Sequence, residues 1–177
     1  MIGVLVSGEG TNLQALLDAG LPVVAVASNR DAVPALARAE RAGVPAAVFE
    51  LHDYATRDAR DAAMAGWLAE RGAEIVVCAG YMHLLKASFL DRFPERIVNV
   101  HPSLLPDFPG FRAIEEALAA GVETTGVTVH LVDEGLDTGA IVRQEPVPVE
   151  PRATLVERLH AVEHRLLPEV VRQLCAR

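Results

Sequence analysis

Cysteine is scarce in these 177 residues: only Cys78 and Cys175 occur, far apart and in apolar or helical surroundings. A disulfide framework is not expected, and a reducing compartment is the simpler setting. Aromatic residues make up 5% of the chain, and Lys86 is its only lysine. The other basic residues are arginine, which reads as codon bias rather than function. Positive charge is short as well, with 16 Lys and Arg against 24 Asp and Glu and a formal net charge of −8. That disfavours broad nucleic-acid binding, which needs a positive surface, and no nucleic-acid partner is expected. It leaves room for an anionic small molecule at a locally positive site. No uninterrupted apolar run approaches the roughly 20 residues of a membrane-spanning helix, so no membrane partner is expected. The opening MIGVLVSGEG has no basic n-region, so no signal peptide is expected and the chain reads as cytoplasmic.

Ala and Val are abundant instead. The hydrophobic fraction is 51% and the mean hydropathy +0.25, which fits a packed globular core. The length suits one domain, able to bury roughly 70% of the surface its unfolded chain exposes.

The pattern along the chain is strand, loop, helix, repeated. Strands are expected at 2–6, 22–27, 46–49, 75–79 and 97–100. Helices are expected after the first strand, with Leu13, Leu16 and Leu17 on one face, and over 33–42. A third, over 56–70, has Ala63, Trp67 and Leu68 inward. Apolar β-branched runs without alternation indicate strands buried on both faces, and the interleaved helices make the crossovers that parallel strands need. The fold class is therefore α/β, an open doubly wound, mostly parallel sheet. After HPSLLPDFPGF, whose prolines exclude regular structure, a short helix is expected over 114–120. Runs 126–132 and 140–149 then read as an antiparallel pair near the C-terminal side. A last helix begins after Pro151, with Thr154 as a candidate cap. It runs to about Leu174, with Pro168 expected to bend or break it.

Several features could carry chemistry. Gly8-Glu9-Gly10-Thr11-Asn12 lies between a strand and a helix, where glycines let backbone N–H groups approach a phosphate. It is not the full dinucleotide fingerprint, because Leu13 holds the third glycine position. Arg30-Asp31 follows the second strand, where a ribose-binding acid would sit. Asn99 and His101 stand at i and i+2 of a strand and face one side, at the carboxyl end where ligands bind in such sheets. An amide donor beside an imidazole suits acyl transfer, one stabilising an oxyanion and the other moving a proton. The acidic loop Asp133-Glu134-Gly135-Leu136-Asp137 could set one carboxylate against that imidazole, and the sequence does not choose among its three acids. His160-Ala161-Val162-Glu163-His164 matches an inverted zinc-protease pattern, but little chain remains for a third ligand, so no metal is expected. Cys78 sits inside an apolar strand, where thiols are inert.

SGEGTNLQAL, AGYMHLL, NVHPSLLPDFPG, LDTG and VEHRLLP, in this order over nearly the whole chain, resemble the formyltransferase family. The NVHPSLLPDFPG segment, followed about 35 residues later by LDTG, is the specific part. The resemblance implies a single formyltransferase domain over 1–177, with a phosphate-binding half about 1–98 and a catalytic and folate-binding half about 99–177. It implies transfer of a formyl group from the co-substrate 10-formyltetrahydrofolate to the amine of glycinamide ribonucleotide, in purine biosynthesis. By that similarity Asn99, His101 and Asp137 match the catalytic trio. Gly10, Thr11, Asn12 and Glu163 match the ribonucleotide phosphate and ribose site, and Arg57, Met82, His83, Leu84 and Leu85 the folate site. The implied partners are small-molecule substrates, in a monomer or homodimer. His83 departs from a frequent Arg, Asp107 from a frequent Lys, and Phe111-Arg112 from a Leu-His pair. The alternatives are a formyltetrahydrofolate hydrolase on the same scaffold and a non-catalytic nucleotide-binding module.

Overall fold

A computed structural model describes residues 1–176. Seven strands form one sheet: β1 (Ile2–Val6), β2 (Val23–Ser28), β3 (Ala46–Val48), β4 (Ile75–Cys78), β5 (Ile97–His101), β6 (Thr124–Leu131) and β7 (Ile141–Pro148). Their order is β3-β2-β1-β4-β5-β6-β7. The first five run parallel, β6 is antiparallel to β5, and β7 is antiparallel to β6. Six helices flank the sheet: α1 (Thr11–Asp18), α2 (Pro34–Arg41), α3 (Arg57–Glu70), α4 (Ala87–Leu90), α5 (Ala113–Ala120) and α6 (Leu155–Cys175). This is the expected mostly parallel sheet with its antiparallel pair.

The alternation of side chains along β1 divides the core into two layers. Ile2, Val4 and Val6 face α1, α2 and α6, packing with Leu13, Leu16, Ala39, Leu159 and Leu166. Leu5 faces α3, packing with Met64, Leu68 and Phe89. Gly3 lies on that second face, and a Cβ there would meet Leu68 Cδ2 at 3.0 Å. All five β1 residues are buried, as a strand covered on both faces requires. Burial of these side chains contributes about 1.5–3 kcal/mol each.

The structure departs from the sequence reading in several places. In α3 the inward residues are Arg60, Asp61, Met64, Ala65 and Leu68, while Ala63 is exposed and Trp67 only half-buried. Leu68 is inward as expected, and the buried face is rotated from the expected one so that it takes in Arg60 and Asp61, charged side chains that are rarely buried unless paired. Pro168 does not break α6, which runs unbroken from Leu155 to Cys175. One lost N–H bond is outweighed there by the burial of Leu166, Leu167, Pro168, Val170 and Val171. Thr154 precedes α6 but its side chain caps no helix N–H. β7 is an edge strand, the place where Pro146 and Pro148 cost no ladder bond. The short α4 was not read from the sequence, being a single turn. Both cysteines are free, and no described helix is long and apolar enough to cross a membrane.

Candidate active site

A cavity of about 470 Å³ opens at the carboxyl ends of β1, β4 and β5. That volume suits a drug-sized ligand. Its lining joins the β1–α1 loop, the segment after β4, the end of β5, the 133–137 loop and one face of α6.

Asn99 and His101 reach it from β5, as the i, i+2 spacing predicts. The antiparallel register sets His130 of β6 opposite Asn99 and Thr128 opposite His101. Asp137 is the acid of its loop that meets them. Its Oδ2 lies 3.4 Å from His101 Nδ1, and its Oδ1 lies 3.4 Å from Asn99 Nδ2 and 3.5 Å from His130 Nε2. The Gly110 N–H donates to Asp137 Oδ2 at 2.7 Å. Asp133 instead accepts from the Gly135 N–H and the Thr138 hydroxyl within its own loop, and Glu134 is exposed. Asp137 has φ +55, a left-handed conformation uncommon for a residue with a side chain and concentrated at functional sites. The loop is pinned close to β6: a Cβ on Gly139 would stand 1.8 Å from the Leu131 carbonyl oxygen.

Burial pushes the Asp137 carboxyl up. The hydrogen bond with His130, the Gly110 N–H and the nearby imidazoles of His101 and His130 outweigh it, and the net direction is down. A charged carboxylate is thus held against two imidazoles. The other nitrogen of His101, Nε2, lies 2.8 Å from the Phe108 carbonyl, where it donates. His130 Nδ1 donates to the Leu131 carbonyl at 2.8 Å, and its Nε2 lies 3.1 Å from Asn99 Nδ2, beside Asp137 Oδ1. The proline-rich loop is anchored through Thr128, whose hydroxyl donates to the Ser103 carbonyl and accepts from the Leu105 N–H.

At the other end of the cavity, Gly10 is the N-cap of α1 with φ +71. A Cβ there would lie 2.6 Å from Ala35 Cβ. Glycine at position 10 is therefore demanded twice, by its dihedral and by the contact with α2. Gly10→Ala is expected to cost about 1–3 kcal/mol in thermal melts, from strain and overpacking. One N–H of Asn12 Nδ2 is committed to Glu163 Oε2 at 3.0 Å, tying α1 to α6. Its Oδ1 is buried without a partner. Burial pushes the Glu163 carboxyl up, with the Asn12 donor and His160 pulling the other way. His160 and His164 stack at 6.0 Å between ring centroids. Among the described residues, the one grouping with metal-ligand spacing is Glu50, His52 and Asp53, and it lies away from the cavity.

Met82, His83, Leu84 and Leu85 line the wall after β4, Met82 and Leu84 exposed and Leu85 buried. Arg57 is not among the lining residues. Cys78 lines the cavity, but burial pushes its thiol up to about 12, so it is no thiolate at neutral pH. Three features escaped the sequence reading. His130 sits 31 positions from Asn99, and only strand register unites them. The buried Arg60–Asp61 pair lies behind the wall. Among the described residues Arg30 is the sole Lys or Arg of the lining, whereas its neighbour Asp31, at the position expected of a ribose-binding acid, stays outside it.

A sheet of this order carries an amide, an imidazole and a held carboxylate together at the carboxyl end of β5. The chain belongs to the formyl transferase family, whose model matches residues 1–171. It is 46% identical over 179 residues to the phosphoribosylglycinamide formyltransferase of Mycobacterium tuberculosis, covering 97% of this chain and 83% of that protein. It is 42% identical over 182 residues to the trifunctional purine biosynthetic protein adenosine-3 of Chironomus tentans. That match covers 97% of this chain but only 13% of the relative's length. The crystal structure of glycinamide ribonucleotide transformylase 1 from Symbiobacterium toebii superimposes with a TM-score of 0.94 at 46% identity, covering 97% of this chain and 85% of that one.

Proposed function

We propose that the protein transfers a formyl group from 10-formyltetrahydrofolate to the primary amine of glycinamide ribonucleotide. The observation that carries this reading is the Asn99–His101–Asp137 constellation at one end of a single cavity whose other end is the Gly8–Thr11 loop. The flat pterin fits the apolar wall of Met82, Leu84 and Leu85. The phosphate fits the N-terminus of α1, where backbone N–H groups and the helix dipole favour an anion.

In the transfer, the amine nitrogen attacks the formyl carbon, and an oxyanion develops on the formyl oxygen. Asn99 Nδ2, which faces His130 and Asp137 in this structure, turns one N–H to that oxygen, a bond worth most in a site shielded from water. Collapse breaks the bond from carbon to the folate nitrogen, and the proton lost by the amine ends on that nitrogen. His101 carries it, and Asp137 supports the ring while it is positively charged. The Phe108 carbonyl takes the Nε2 position in this structure, so substrate has to displace it before the ring can pass a proton through that atom. Glu163, held by Asn12, faces the ribonucleotide end of the cavity. We place the protein in the cytoplasm.

Arg30 supplies positive charge to the cavity lining of an otherwise acidic chain. Arg30→Ala is expected to raise the ribonucleotide KM by about tenfold or more, the scale of one charge-assisted hydrogen bond. The KM for 10-formyltetrahydrofolate should stay within about twofold, since its recognition does not use that charge. Steady-state kinetics with each substrate varied in turn checks this.

The deciding experiment follows deformylation of 10-formyltetrahydrofolate with and without glycinamide ribonucleotide. Release that requires the ribonucleotide supports transfer to it. Equal release without acceptor makes the protein a hydrolase, and no release under either condition rejects this donor and acceptor pair.

A further inference from the structure

Behind the wall after β4 lies a polar network that the proposed chemistry does not use. Arg60 and Asp61 of α3 have fully buried side chains and form an ion pair. Arg60 Nε and Nη2 both donate to Asp61 Oδ1, at 2.9 and 2.6 Å. Asp61 Oδ2 accepts the Lys86 N–H at 2.9 Å, which fixes the far end of the wall. One arm of the Arg60 fork is left, Nη1, and it stands 2.8 Å from His83 Nδ1. The near end is fixed too. The Met82 N–H donates to the Ser7 hydroxyl at 2.9 Å, and Ser7 donates to Asn29 Oδ1 at 2.6 Å. Asn29 Nδ2 in turn lies 3.3 and 3.4 Å from the two His83 nitrogens.

A guanidinium has donors only. A bond from Arg60 to Nδ1 therefore requires a lone pair on Nδ1, and the ring proton must sit on Nε2. We propose that Arg60 is a positioning residue for co-substrate binding: it locks His83 as the uncharged Nε2–H tautomer, so that the cavity wall presents a fixed neutral donor. A cation so placed cannot coexist comfortably with an imidazolium. The groups facing the ring are Arg57, Arg60 and Asp61 from α3, Asn29 from the end of β2, and Tyr81, packed edge-on at 6.0 Å. Burial, then Arg60 and Arg57, lower the His83 pKa, with Asp61 opposing. The ring thus charges at a lower pH than an ordinary histidine does. This inference rests on the reading of the wall as the formylfolate site.

The test begins with nitrogen-15 NMR of the imidazoles in the wild-type protein, with His83→Gln to assign the signal. The expected result is an unprotonated Nδ1 and a protonated Nε2, persisting at pH 6.5, where an unperturbed histidine is half charged. A protonated Nδ1, or a charged ring at that pH, would overturn the proposal. This measurement needs no substrate, so its outcome is separate from whether the protein consumes 10-formyltetrahydrofolate at all. The functional arm uses Arg60→Lys, which keeps a cation for Asp61 but has no fork to reach His83 as well. Its KM for 10-formyltetrahydrofolate is expected to rise about 3- to 10-fold and to become pH-dependent, the scale of one lost hydrogen bond. Its kcat and ribonucleotide KM should stay within about twofold. A uniform loss in all three would show a general structural role and reject positioning.

Discussion

Asn99→Ala and His101→Ala are each expected to lower kcat by at least about 10²–10³-fold, the first by the loss of an oxyanion donor in a shielded site and the second by the loss of the group that carries the proton. The two side chains share one strand face and one carboxylate. Their losses should therefore not multiply: the double variant is expected to be little worse than the poorer single one. Substrate KM values should change far less than kcat, because these groups act most strongly on charge that exists only in the transition state. Asp137→Ala is expected to fall in the same range. Its carboxylate meets Asn99, His101, His130 and the Gly110 N–H together, so its removal frees the imidazoles and the loop at once. Stopped assays of formyl transfer, with circular dichroism to confirm folding, measure all of this. Near wild-type turnover in either Asn99→Ala or His101→Ala would reject the assignment.

The second large effect is on stability. Asp61→Ala is expected to destabilise the fold by about 3–5 kcal/mol, because it leaves the Arg60 guanidinium charged, buried and unpaired. For a chain of this size that corresponds to a fall in Tm of roughly 6–20 °C. The wall after β4 should loosen as well, since Asp61 also holds the Lys86 N–H. Glu150→Ala is the matched control. Its partner Arg152 and Glu150 itself are exposed, and an exposed pair adds almost nothing. Differential scanning calorimetry on both variants separates the cases. Equal melting temperatures for Asp61→Ala and wild type would show that the buried pair is not structural.

The two predictions differ in how far the sequence foresaw them. Asn99 and His101 were legible because a strand's period of two is a local property, and the buried run at 97–100 fixed where the strand lay. Asp137 was narrowed to a loop of three acids, and only the family resemblance chose it. The physical choice needs the loop's path, with Gly139 pressed against Leu131 and Asp137 turned into the left-handed region. Arg60 and Asp61 were not legible at all. In a helix that also offers Ala62, Ala63 and Met64, local pattern puts the ions outside, and only a bonded partner far along the chain reverses that.

Local chemistry alone determined the order of the strands and of every helix but the short α4, the parallel class of the sheet, the glycine loop after β1 and the antiparallel pair at the end. These follow from side-chain period, turn residues and the connections that parallel strands demand, all readable within a few neighbours. Only the tertiary structure decided that His130 faces Asn99, that Asn12 is bound to Glu163 151 positions away, and that Arg57 stays out of the cavity while Arg30 enters it. Strand register, the seating of α6 on α1 and the depth of α3 against the sheet are set by packing between distant segments, and no local window of sequence contains them.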